Sequence, residues 1–245
     1  MDALDRLAEP GLDLLARVDA LLAAGAPEAH PVWPLLRRMQ VLPGEALRAF
    51  LDLHPAPLAA AGHAVRRLVP GYDDACAALT DPGVWSGPAA TAYDEARTAL
   101  LRHLDEGPES LVGRLESTAG YADALAHWVE GSRLAVARVL AEVLGSTEAV
   151  RVRAATASGT APGTGPASGV EAASGAEPAL GVGPNPGAEP GRGAAAEIAT
   201  RVLSVLGVAY DGAETLLRQW SPSLAESTWR STGGASYHGA SLRIG

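Results

Sequence analysis

Apolar side chains recur along this chain at helical spacing and nowhere alternate as they would in a strand. Leu7, Leu14, Leu15, Val18, Leu21 and Leu22 make a stripe near the 3.6-residue period through residues 4–24. Pro10-Gly11 is expected to split that helix, and Gly25-Ala26-Pro27 to stop it. His30-Pro31-Val32-Trp33-Pro34 reads as a rigid connector into a short helix at Leu35-Leu36-Arg37-Arg38. Pro43 restarts a helix through Leu53, at a position where its missing N–H costs nothing. After Pro55 and Pro57 another helical stretch runs from Leu58 to Leu79, with a break or kink expected at Pro70-Gly71.

A dense cluster of turn residues follows, from Thr80 to Pro88. Beyond it lies the most periodic segment, Ala89 to Val150, with Leu111, Leu115, Ala119, Ala122, Val129, Val136, Leu140 and Val143 on one face. Gly107-Pro108 interrupts it, and Glu109 and Ser110 suit the first turn of a restarted helix. From about Ala154 to Gly193 the chain turns to Gly, Ala, Pro, Ser and Thr, with too few apolar side chains to offset the entropy of ordering the backbone. Ala194 to Trp220 is again amphipathic, with Ile198, Val202, Val205, Ala209, Ala213, Leu216 and Trp220 on one face, although Gly207 and Gly212 weaken it. The pattern thus predicts an all-α protein. Its expected parts are an N-terminal helical extension (1–42), a helical hairpin with a Trp-x-Gly turn (43–153), a disordered linker (154–193), a C-terminal amphipathic helix (194–220) and an irregular tail (221–245).

Composition narrows the function. The 245 residues are 47% hydrophobic but only 4% aromatic, a texture of slender Ala/Leu helices. The net charge is −9 and every one of the 19 basic residues is Arg; neutralisation of nucleic-acid phosphates and polybasic membrane contacts both want the opposite balance. Cys76 stands alone, which excludes an internal disulfide and a cysteine-based zinc site. The N-terminus is acidic where a signal peptide is basic, and Arg201, Asp211 and Glu214 interrupt the most apolar stretch, so neither a cleaved leader nor a membrane span is expected.

Trp85-Ser86-Gly87 sits in a turn between two long Ala/Leu-rich stretches. Asp81, Pro82 and Gly83 end the first, Gly87 permits a backbone conformation that other residues resist, and Pro88 starts the second. A Trp on such a turn either folds back or offers a large apolar face to a neighbour. Trp85-Ser86-Gly87-Pro88-Ala89-Ala90 followed by Tyr93 resembles the helical-hairpin signature of the WXG family, the early-secreted-antigen-like substrates of type VII secretion. The resemblance covers about Pro43 to Leu144. It implies an antiparallel helix pair that joins another helical-hairpin protein, of its own or a different kind, in a four-helix bundle, without catalysis or cofactor. It also implies export from an actinobacterial type of cell without a cleaved signal peptide. The prolines at 55, 57 and 70, and the residues ahead of the hairpin, depart from the family's minimal pattern.

Family members carry a Tyr-x-x-x-Asp/Glu export signal after the second helix. None follows Leu144, but Tyr210-Asp211-Gly212-Ala213-Glu214 matches beyond the linker. A Tyr and a Glu four apart share a helix face and could dock together onto a secretion ATPase; the same pair also arises readily in any amphipathic helix. If the chain is instead a cytosolic chaperone or loading partner for a toxin, the hairpin is the same and Tyr210 and Glu214 are dispensable. An enzyme is the remaining alternative, yet the chain has no nucleophile elbow, phosphate loop, His-Glu-x-x-His or dinucleotide fingerprint. His63, Asp73, Asp74 and Cys76 are close in sequence, but the two aspartates suit a helix N-terminus after Pro70-Gly71 and no metal is expected. Trp33 is either an exposed recognition residue or a pin that holds the N-terminal helices to the hairpin, and Trp220 and Trp229 could anchor the C-terminal segment in the same way.

Overall fold

A computed structural model describes residues 2–80, 85–158 and 188–225. Among these residues all regular structure is helical: α1 (Ala3–Ala23), α2 (Val32–Met39), α3 (Pro43–Leu51), α4 (Pro55–Arg66), α5 (Val69–Thr80), α6 (Pro88–Asp105), α7 (Leu111–Leu144), α8 (Thr147–Ser158) and α9 (Ala188–Ala225). The all-α expectation holds. The helices distribute over two compact units, one drawn from residues 2–59 and 124–216, the other from 60–123 and 217–225.

The first unit holds a continuous apolar core. Leu4, Leu14, Leu15, Val18 and Leu22 of α1 meet Val32 of α2 and Ala46, Leu47 and Phe50 of α3. Val136, Leu140 and Val143 of α7, Val152 of α8, and Ile198, Val202, Leu203 and Leu206 of α9 complete it. The apolar stripe of α7, expected to face a partner, is therefore buried over this half by the chain's own first and last helices. The segment expected as an N-terminal extension is part of the same core as the C-terminal helix, because each supplies one face that the other covers.

Helix boundaries follow capping chemistry more closely than proline position. Asp2 and Asp5 make a reciprocal capping box at the start of α1. Contrary to expectation, α1 passes through Pro10 without a break. Gly11 is buried with its Cα facing Leu140 and Leu47, an added Cβ would stand 3.3 Å from Leu140 Cδ1, and this close packing outweighs the one backbone hydrogen bond that Pro10 removes. Trp33 and Pro34, expected in a connector, lie in the first turn of α2, and the Trp33 indole donates to the Pro27 carbonyl at 3.0 Å. The ring is half-buried against the core of the first unit. The break expected at Pro70-Gly71 falls just before it, at Arg67-Leu68, and leaves Pro70 in the first turn of α5.

Helix α3 lacks a side-chain cap of its own, and the Asp19 carboxylate of α1 takes that place, accepting from Gly44 N at 3.1 Å. Ser110 caps α7 through Gly113 N (3.1 Å), and Ser146 caps α8 through Ala149 N (3.2 Å). The second cap divides a segment that the periodicity had left continuous. Helix α8 reaches Ser158 and α9 starts at Ala188, so helix intrudes on both ends of the expected linker; residues 159–187 lie outside the described residues. Helix α9 also passes Trp220 and ends at Ala225; Trp229 and the rest of the tail lie outside the described residues. By length and composition α9 is apolar enough to cross a membrane, but 56% of its most apolar window is buried inside the protein, which is how a core helix looks.

Candidate functional site: the Trp85 turn

The turn is built from its backbone upward. Gly87 stands at the N-cap of α6 with φ +113° and ψ 178°, in a region that strains any residue with a side chain. Nothing lies within 4 Å of where its Cβ would be, so conformation alone requires glycine here. Pro88 follows as the first helical residue, and the Gly87 carbonyl accepts from Thr91 N at 3.2 Å. Asp81, Pro82 and Gly83, expected to end the preceding helix, lie outside the described residues.

This geometry carries Trp85 and Tyr93 together. Their ring centroids are 5.8 Å apart at an interplanar angle of 55°, and the two side chains remain 53% and 48% exposed. Arg97, one turn further along α6, anchors the turn to α5. Its Nη1 donates to the carbonyls of Leu79 (2.8 Å) and Thr80 (3.2 Å), while Nη2 donates to Asp94 at 2.7 Å. A guanidinium on the last carbonyls of a helix also meets the negative end of its dipole. An open depression of about 750 Å³ lies along this face, lined by Trp85, Tyr93, Asp94, Glu95, Thr98 and Arg102 among others. No side chain of α5 or α6 is fully buried. Half-buried Val69, Tyr72, Cys76 and Leu79 of α5 and Ala90, Arg97, Leu101 and Leu104 of α6 are all that this helix pair shelters.

The second candidate pair is elsewhere. Tyr210 and Glu214 lie on α9 within the first unit, and Tyr210 packs edge-on against Phe50 at 5.9 Å while staying 42% exposed. Glu214 is exposed. The same stretch explains one helix-weakening glycine: an added Cβ on Gly212 would stand 3.2 Å from the Trp128 indole nitrogen, which donates to the Ala209 carbonyl at 2.9 Å. Cys76 is no activated nucleophile, since burial, with Asp105 and Asp73 nearby, pushes its thiol above the ordinary value. Among the described residues no group of three or more His, Cys, Asp or Glu stands together as metal ligands do.

Sequence reading missed two arginines. Arg97 appears as one more solvated charge until its carbonyl partners are seen. Arg133 left a clearer trace: the α7 stripe skips from Val129 to Val136, and Arg133 occupies the skipped place. It is buried, and it donates from Nε to Asp2 (2.6 Å), from Nη1 to the carbonyls of Phe50, Leu51 and Leu53, and from Nη2 to Asp5. One guanidinium thus ties the start of α1 and the end of α3 to α7.

No family model matches the chain, and no curated protein and no solved structure matches it.

Proposed function

We propose that this protein is a non-enzymatic adaptor or exported substrate of a type VII-like secretion system, recognised through the helix pair that carries Trp85. The observation that carries this reading is the turn itself: a glycine forced to positive φ holds two aromatic rings together and half exposed, at the end of helices that bury almost nothing themselves. Rings of that size gain most by covering their faces with another molecule, at about 25 cal/mol per Å² of apolar surface before ordering costs are deducted. The likeness of Trp85-Ser86-Gly87-Pro88-Ala89-Ala90 and Tyr93 to the WXG signature names the system. The second half of α7 is already covered within the chain, so the proposed partner, another helical-hairpin protein, contacts α5 and α6 and not the whole length of a long hairpin.

A cytosolic chaperone or loading role is the second reading, favoured by the contact between Tyr210 and Phe50, which gives Tyr210 a place in the fold independent of any export signal. Fractionation of producing cells separates the two. Export of the wild type that is lost in Trp85→Ala and in Tyr210→Ala supports the secreted role with Tyr210-x-x-x-Glu214 docking on a secretion ATPase. Export lost only in Trp85→Ala keeps the turn and discards that signal. A wild type found only inside the cell discards export and leaves the chaperone.

A further inference from the structure

The depression beside Trp85 is not merely apolar. Its lining carries two carboxylates, Asp94 and Glu95, and the guanidinium of Arg102, with Arg97 on the same helix. Both arginines are engaged: Arg97 with Asp94 and the end of α5, and Arg102 with Glu106 at 2.8 Å. Glu95, exposed on the same lining as the two rings, enters no ion pair among the described residues. Two half-exposed aromatic faces next to an uncommitted carboxylate are complementary to a cation on an apolar stem. A positive group within about 6 Å of a ring centroid is attracted by the negative face of the ring, and the carboxylate supplies its counter-charge. On this lining Asp94 and Glu95 outnumber the one guanidinium, Arg102, which is already paired with Glu106, so the surface suits a basic partner and not a second copy of itself.

We infer that the Trp85–Tyr93 depression receives an arginine side chain of a basic partner protein, its guanidinium stacked on the aromatic pair and paired with Glu95. This rests on the reading of the turn as a recognition surface and adds to it the chemistry of what is recognised. The probe is a hexa-arginine peptide, titrated at low salt into the full-length protein while the indole N–H of Trp85 is followed by NMR and assigned by its loss in Trp85→Phe. The Trp85 signal shifts more than the other indoles, and a neutral hexa-citrulline peptide leaves it unmoved. Glu95→Gln weakens binding about threefold, the scale of one exposed charge contact, and Tyr93→Leu does the same. Glu9→Gln, an equal change of net charge at an exposed site on α1, leaves the affinity as it was. An unmoved Trp85 signal, or equal weakening by Glu9→Gln and Glu95→Gln, overturns the inference and reduces the binding to diffuse attraction. Arginine binding by a protein that never leaves the cell upholds the depression and overturns only the export role. Export that depends on Trp85, without any shift of its indole, does the reverse.

Discussion

Arg133 shows how much a single side chain organises in this protein. Its guanidinium has two carboxylates and three carbonyls as partners and is removed from water. Such a group adds little to stability over a well-packed apolar one, but its removal leaves the others uncompensated. Arg133→Ala should cost about 3–5 kcal/mol in urea unfolding, against about 1 kcal/mol for loss of the exposed partner in Asp2→Ala. Asp2 at the cap of α1 and Asp19 within the helix also set opposite pH responses. The hydrogen-bonded guanidinium of Arg133 holds the Asp2 carboxyl down to about 2, whereas burial pushes Asp19 up to about 6 despite the Gly44 N–H and Arg48. The stabilisation from Asp2 is present above the ordinary value of 3.8 and is lost as the pH falls towards 2. That from Asp19 is complete below 3.8 and is lost as the pH rises through about 6. The melting temperature should therefore rise when the pH is lowered from 7 to 5, and Asp19→Asn should flatten that rise; an unchanged slope in the variant would assign it to other groups.

At the scale of the helices, period was legible and packing was not. The apolar stripes of α1, α7 and α9 were read from spacing, because a side chain that must face a core returns every three or four residues. Ser110 was expected in the first turn of a restarted helix and stands one residue earlier, as its cap. Pro10 misled because its cost is local and visible, while the gain from Gly11 resting on Leu140 joins residues far apart in sequence. Asp19 capping α3 and Arg133 binding the end of α3 are likewise long-range, and no local pattern announces them. The Trp85 turn was legible because its requirements, a positive-φ glycine and a proline at the first helical position, are written in adjacent residues; the pairing of Trp85 with Tyr93 follows from their spacing across that turn. Trp220 supplies a test at this scale. An added Cβ on Gly120 would stand 2.7 Å from Trp220 Cη2, too near for a rigid indole to accommodate without moving. Gly120→Ala should destabilise the second unit by about 1–3 kcal/mol, read as an earlier thermal transition, whereas Ala at Gly131, where nothing lies within 4 Å, should stabilise α7 slightly.

At the scale of the whole molecule, its parts differ sharply in how much they bury. Helices α1, α3, α7, α8 and α9 share one core in the first unit, while α5 and α6 bury no side chain fully and present Trp85 and Tyr93. With the second half of the α7 stripe covered within the chain, the surface left for the proposed partner is the acidic helix pair and its aromatic turn. Regions with few buried contacts open at a free energy well below that of global unfolding. Native-state hydrogen exchange on the dilute isolated protein measures this contrast directly. The amides of α1, the second half of α7 and α9 up to Ala209 should exchange only through global unfolding, and those of α5 and α6 should exchange orders of magnitude faster. Equal protection of α5, α6 and α9 in the isolated monomer would contradict the account, because the helix pair would then be sealed within the chain and have no surface to offer.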